Sequence, residues 1–409
     1  MEFNGNLPNI IYLDINSCFA TIEQQANPHL RDKPVVVAAY TTNSGCILAA
    51  SVTAKKLGIK TGMRVMDAKK IYPKVIVLLP DPAKYRFVHK AILRIVKRYS
   101  SDVSPKSIDE FVFKLPLGVD PINVSKEIKE KIKQEVGEYI TVSIGISTNK
   151  YLAKVASNLV KPNGLSEINT NNFLDIFSRL KLTNLTGIKK GNSVRLKIFG
   201  INTVLQFYNS PIWKLKLVFG ALPAGRQGIG GFYWYQRLHG YEVDLPAGRQ
   251  AALNQKMIGN SYAPPPNMAN EAPSIISKLC EKTGFRLRNH NLKASGVHLS
   301  LQDRDGNFWH MGRKLKKDIF SNCDIQKEIN NLFKISPIKE NFRNISISTF
   351  GFNKLNNLQL EIFEDSQKRK NLITAIDDIN KKWGLYTIHS GSTNMDSKVV
   401  QDRISFGQI

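Results

Sequence analysis

The sequence has no apolar stretch approaching the roughly 20 residues a membrane-spanning helix needs, and no charged segment followed by an apolar one at its start. A soluble, cytoplasmic protein is expected. Cysteine is scarce: Cys18, Cys46, Cys280 and Cys323 are scattered, form no CxxC pair and have no histidine close by in sequence. That spacing argues against a disulfide framework and a zinc site, and leaves the four as expected buried small hydrophobic groups. Acid is also in short supply, with 33 Asp and Glu against 58 Lys and Arg, a formal charge of +25. Such an excess favours a polyanionic partner through counterion release and steering. Nucleic acid comes first, and an anionic membrane surface is the competitor.

A chain of 409 residues is too long for one ordinary core, and about two to four domains are expected. Over roughly the first 165 residues, strand patterns ("NIIYLDI", "KPVVVAAY", "VIVLLP", "EFVFKL", "YITVSIGIS") alternate with helical ones (after Asp14, at 85–99 and at 122–136), giving an α/β or α+β sheet layer. Gly58 and Gly62 suit a helix end and a turn. Ser147 is the expected N-cap of "TNKYLAKVASNLV", in which Leu152, Val155, Ala156 and Leu159 share one face and "KPNG" supplies the stop. Lys150 and Lys154, on the other side, read as a solvated face. From 171 to 240 the pattern is helical, with Gly187, Gly191 and Gly200 around two short helices. That is either a plain helical hairpin or one offering backbone N–H groups to a phosphate. "LPAGRQG" at 222–228 recurs as "LPAGRQA" at 245–251. The element has no apolar face to bury and does not continue as a stacking repeat, so both copies read as exposed insertions.

Beyond them, "SGVHLSLQ", "ISISTFGF", "LQLEIF" and "YTIHSG" alternate as strands, with helices near 324–334 and 366–383 between them, a compact α+β module. Arg286, Arg288, Lys293, Arg313, Lys314, Lys316 and Lys317 crowd its first half. The cluster is almost all of one sign, open to phosphate contact or to solvent alone.

Asp14 ends an apolar strand, and "KSIDEFVF" sets Asp109 and Glu110 at the mouth of another. An acid inside apolar sequence costs several kcal/mol when buried unless it is paired or bound to a cation. Two such acids on neighbouring strands imply a cation between them, and the absence of His or Cys favours Mg²⁺, with Mn²⁺ as substitute. A two-metal phosphoryl-transfer site needs a bridging carboxylate and flanking ones. Asp109 suits the bridge beside Asp14, and Glu110 diverges to approach from another direction. For Asp109 and Glu110 alone, ordinary turn chemistry before a strand is the competing reading.

"YLDINSCFATIEQ", "KPVVV", "AKKLGIKTGM", "SIDEF" and "VSIGISTNKYLAKVASNLVKPNG" occur in the order and spacing of Y-family translesion DNA polymerases of the UmuC/DinB type. With the helical hairpin at 185–203 and the closing "DRISFGQI", the chain resembles that family over essentially its whole length, the two insertions excepted. The resemblance implies an α+β right hand: palm (1–17 and 81–170), small fingers (18–80), helical thumb (171–240), a linker (241–252), a little finger (253–391) and a tail (392–409). It implies Asp14, Asp109 and Glu110 as the catalytic metal triad, with the Ile15 carbonyl a further ligand for two Mg²⁺. Phe19 becomes the steric gate against ribose. Ser51, Lys55 and Lys161 fall at nucleotide-binding positions, although Val52 and Lys55 stand where many DinB-type relatives carry Tyr and Arg. The hairpin glycines Gly187 and Gly191 and the basic residues Arg286, Arg288, Arg313 and Lys314 become DNA contacts. "QLEIF" is either a strand or a sliding-clamp motif using Gln359, Leu360, Ile362 and Phe363. The implied partners are primer-template DNA and dNTP, with the protein a monomer of low fidelity. A catalytically inactive scaffold and, without the resemblance, a two-metal nuclease are the rivals.

Overall fold

The structure, a computed structural model, describes residues 2–220, 229–243, 257–264, 268, 271–354, 366–384 and 387–391. Both LPAGRQ copies, the 392–409 tail and the clamp-motif candidates Gln359, Leu360, Ile362 and Phe363 lie outside these residues. The chain divides into two compact units, the division falling after Asp244.

The first unit runs β1 (Ile10–Ile15), α1 (Cys18–Ala26), β2 (Val35–Ala38), β3 (Ile47–Ala50), α2 (Val52–Lys56), α3 (Val65–Ile71) and β4 (Ile76–Leu78). It continues through α4 (Pro82–Val96), β5 (Val103–Pro105), β6 (Glu110–Lys114), α5 (Pro121–Glu135), β7 (Val142–Ser147), α6 (Lys150–Ser157) and β8 (Leu165–Ile168). Helices α7 (Phe173–Arg179), α8 (Lys190–Ile198), α9 (Val204–Tyr208), α10 (Ile212–Phe219) and α11 (Ile229–Leu238) complete it. A five-stranded sheet has the order β5-β6-β1-β7-β8, and a separate three-stranded sheet the order β3-β2-β4.

Strand β1 reads as a nearly continuous apolar run because both of its faces are covered. Ile11, Leu13 and Ile15 join Phe111 and Phe113 in the core under α4 and α5, whereas Ile10 and Tyr12 pack with Val112 and Ala153 of α6. By the strand period of two, Asp14 falls on this second face, at the end where the apolar packing stops. Helix α6 is capped by Asn149, whose Oδ1 accepts from Leu152 N at 2.7 Å, and not by Ser147 as expected. Ser147 is the last residue of β7, and its hydroxyl donates to the Ile168 carbonyl across the sheet. The cysteines divide: Cys18 and Cys280 are buried as expected, but Cys46 and Cys323 are exposed.

The second unit contains β9 (Met257–Tyr262), α12 (Ala272–Asn289), β10 (Leu292–Asp303), β11 (Phe308–Ile319), α13 (Asn322–Ile335), β12 (Phe342–Lys354) and α14 (Ser366–Trp383). Its sheet has the order β11-β10-β12-β9. "LQLEIF" lies outside the described residues, and the strand expected at "YTIHSG" does not form over 387–391. There Ile388 N donates to the Asn380 side chain, which donates back to the Ile388 carbonyl, so the segment closes onto α14 instead of pairing in a sheet.

Gly145 on β7 fixes how close α6 lies. A Cβ there would stand 2.0 Å from the Ala153 carbonyl oxygen and 2.2 Å from Ser157 N, a clash with helix backbone that no side-chain rotation relieves. Gly145→Ala is therefore expected to destabilise the protein by about 1–3 kcal/mol, the usual cost of overpacking. Urea unfolding measures it, and a wild-type midpoint would refute the claim that α6 rests directly on this strand.

Candidate active site

The end of β1 and the start of β6 bring the acids together. Asp14 pairs in register with Glu110, and Ile15 N donates to the Asp109 carbonyl at 2.9 Å. Each of the paired acids is met by a lysine. Lys161 Nζ lies 2.8 Å from Asp14 Oδ2, and Lys154 Nζ lies 2.8 Å from Glu110 Oε1. The same Lys154 ammonium stands 5.1 Å from the centre of the Tyr12 ring, a cation–π contact that seats it over the apolar face. Burial first, and then the neighbouring Glu110, hold the Tyr12 hydroxyl well above its usual range. Asp109 accepts from the Ser107 hydroxyl.

The electrostatics record crowding of negative charge. Burial raises the Asp14 carboxyl above its ordinary value; Lys161 opposes the rise, and Asp109 and Glu110 add to it. Burial likewise raises Asp109, with the Ser107 hydrogen bond opposing and Glu110 adding. Acids so placed call for positive charge.

Beside them opens a cavity of about 540 Å³ lined by Asp14, Ile15, Phe19, Val52, Lys55, Lys56, Thr61, Asp109 and Lys161. Glu110 is not part of that lining: it is turned toward Lys154 and Tyr12. Lys55 is lowered by burial and then by Lys161, with Asp14 opposing, so two ammonium groups face one cleft and an anion between them is favoured. Lys161 is aimed by a pinned loop. Asn163 N donates to Asn16 Oδ1 at 2.8 Å, and Gly164 N and Asn16 Nδ2 both donate to Ser143 Oγ. Phe19 has no exposed surface and stacks on Tyr85, ring centres 4.4 Å apart.

Among the described residues, no group of three or more His, Cys, Asp or Glu side chains is gathered as a ready-made metal cluster. The donor chemistry nevertheless suits a hard divalent cation: oxygen ligands only, half-buried, two of them now answered by lysine ammoniums.

The expected nucleotide contacts separate. Phe19, Lys55 and Lys161 line the cavity, but Ser51 does not. Ser51 is fully buried as the N-cap of α2; its hydroxyl accepts from Ala54 N and Val35 N and donates to the Lys33 carbonyl, which removes it from nucleotide binding. Of the expected DNA contacts, Gly187 takes a left-handed φ of 90° before α8, which includes Gly191. Arg313 and Lys314 lie exposed on β11, an edge strand among the described residues, Arg313 only 3.8 Å from Glu328. Arg286 donates to the Gly259 carbonyl. Arg288 is a correction: its side chain is 8% exposed, forks onto both oxygens of Asp377 and also reaches the Phe320 carbonyl and Asn322, so it clips α12 to α14 and is poorly placed for a phosphate.

Sequence reasoning passed over Tyr12, Asn16, Lys56, Thr61 and Lys154. Tyr12 is two residues before Asp14 and shares its face by strand period alone. Lys154 was discounted as solvated because lysine spacing on a helix carries no sign of what lies opposite.

Comparison with known proteins agrees with this architecture. Residues 13–158 match the impB/mucB/samB family, and residues 256–362 match the C-terminal domain of the same family. DNA polymerase IV of Clostridioides difficile (strain 630) is 30% identical over 334 residues, covering 80% of this chain and 87% of that protein. DNA polymerase IV 1 of Bacillus subtilis (strain 168) is 28% identical over 394 residues, 94% of this chain and 92% of that protein. Among solved structures, the Y-family DNA polymerase chimera Dbh-Dpo4(243-245)-Dbh superposes with a TM-score of 0.69 at 22% identity, covering 84% of this chain and 98% of that one. The insertion ternary complex of Dbh DNA polymerase gives 0.57 at 23% identity over the same shares. The fold is that of a right-hand polymerase with a little finger domain. The chain belongs to the impB/mucB/samB family, the Y-family DNA polymerases, and is a metal-dependent, DNA-directed DNA polymerase of the translesion class.

Asp109→Asn separates function from stability. A carboxyl whose folded value is raised supports the fold below its unfolded value and loses that support as pH rises through the folded value, so at neutral pH the charged Asp109 is a burden on the metal-free protein. The asparagine variant is expected to raise the metal-free unfolding midpoint at pH 7 while lowering primer extension at least about 100-fold. A lower midpoint would show that Asp109 is not held against its electrostatic preference.

Proposed function

We propose that the cavity beside Asp14 and Asp109 receives the incoming dNTP, and that the chain adds it to a primer 3′-end with low fidelity on damaged templates. The observation that carries this reading is the juxtaposition of Asp14 and Asp109 with Lys55, Lys56 and Lys161 around one open cleft. Asp14, Asp109, Glu110 and the Ile15 carbonyl are the proposed ligands of two Mg²⁺. When bound, those ions supply charge stabilisation at the attacked phosphate and its leaving group. The protein's own part is electrostatic and positional. Lys161 leaves Asp14 for a phosphate oxygen, Lys55 offers a second charge without the fork of an arginine, and Lys154 with Tyr12 keeps Glu110 oriented. Phe19 occupies the place of a ribose 2′-hydroxyl and thereby selects deoxyribose.

Residues 1–17 with 81–170 are the proposed palm, 18–80 the fingers, 171–240 the thumb and 253–391 the little finger. DNA is held there through phosphates, using the hairpin around Gly187 and Gly191 and the strand bearing Arg313 and Lys314, which makes binding sequence-independent and steeply salt-dependent. On its sequence pattern, the segment with Gln359, Leu360, Ile362 and Phe363 is proposed to dock on a sliding clamp.

Primer extension tests the reading. The wild-type chain is expected to lengthen a primer only with Mg²⁺ and all four dNTPs, and excision of 222–228 and 245–251 is expected to leave the rate within about threefold, as for surface insertions. Shortening of the DNA in Mg²⁺ would favour a nuclease. Extension by neither form, with DNA binding intact, would favour a scaffold.

A further inference from the structure

Phe19 and Glu23 stand four residues apart on α1, one above the other on the same face. Both reach the first turn of α4. The Phe19 ring lies nearly parallel to the Tyr85 ring, with 10° between planes and 4.4 Å between centres. One helical turn on, Glu23 Oε1 accepts from the Tyr85 hydroxyl at 2.9 Å, and its other oxygen receives Lys84 Nζ at 2.6 Å. The α4 side of this contact is itself fixed: Asp81 caps the helix by accepting from Ala83 N and Lys84 N. Glu23 is 8% exposed, so its two oxygens are committed to these partners and poorly reached by water. Neither Glu23 nor Tyr85 lines the cavity, but Phe19 does.

An aromatic ring excludes a hydroxyl only if its plane is held, because a small rotation about its side-chain torsions opens the space. The Tyr85 ring blocks such rotation from behind, and the Tyr85 ring in turn is held at its far end by Glu23. We propose that Glu23 and Tyr85 are positioning residues that set the plane of Phe19 and so determine how strictly the site rejects ribonucleotides. The inference rests on the reading of Phe19 as the sugar gate.

The test compares kcat/KM for a dNTP and its matching rNTP in single-nucleotide insertion. Tyr85→Phe keeps the stack and removes the hydroxyl; it is expected to lower the dNTP preference by roughly three- to tenfold, as for one lost buried hydrogen bond, mainly by raising rNTP insertion. Glu23→Ala is expected to match it, and Glu23→Gln, which keeps an acceptor oxygen for Tyr85, to restore the wild-type ratio. In a Phe19→Ala background, Tyr85→Phe is expected to have no further effect. Wild-type ratios in both Tyr85→Phe and Glu23→Ala, with a lost preference in Phe19→Ala, would overturn this inference alone. An additive loss in the double variant would also overturn it, because Tyr85 would then act elsewhere. An unchanged ratio in Phe19→Ala would overturn the gate and the inference together.

Discussion

Negative charge gathered at the ends of two antiparallel strands is the constraint around which the catalytic unit is arranged. Asp14 and Glu110 are register partners, and Asp109 joins them through the Ile15 amide. Left alone, such acids would take up protons, and burial already pushes Asp14 and Asp109 in that direction. Lys161 and Lys154 limit the cost, each across a short ion pair. The site thus holds three carboxylates, two of them answered by a short ion pair to lysine and the third by the Ser107 hydroxyl.

Backbone geometry places these lysines. Gly145 lets α6 rest on β7, and Asn16 and Ser143 pin the loop that follows, so Lys154 and Lys161 approach the acids from one rigid layer. The loop that carries Lys161 is thus held by hydrogen bonds of its own, separate from the Lys161–Asp14 ion pair.

Much of the catalytic unit was legible because its signals are local. The apolar run of β1, the strand pattern at β6 and the face formed by Leu152, Val155 and Ala156 all survive in the structure with boundaries moved by a few residues. What was illegible depended on partners distant in sequence. Strand β11 was read as a cluster of basic residues because most of its side chains are exposed, leaving no alternation of buried and solvated positions to mark a strand. Lys154 was read as solvated because Glu110 and Tyr12, its partners, come from strands more than 40 residues away. Ser51 failed in the opposite way: position assigned it to the nucleotide, but local hydrogen bonding to α2 and β2 had already consumed its hydroxyl.

Arg288 carries the same lesson into DNA binding. Positive residues counted along a sequence are interchangeable, but in the fold one guanidinium is buried against Asp377 while Arg313 and Lys314 stand on an edge strand. A buried, bidentate pair is costly to break, because separation leaves an unanswered charge in a dry environment. Arg288 therefore contributes to the folding of the little finger and adds little to the field outside it. Among the described residues β11 is an edge strand, and its Lys and Arg side chains deter pairing with another sheet.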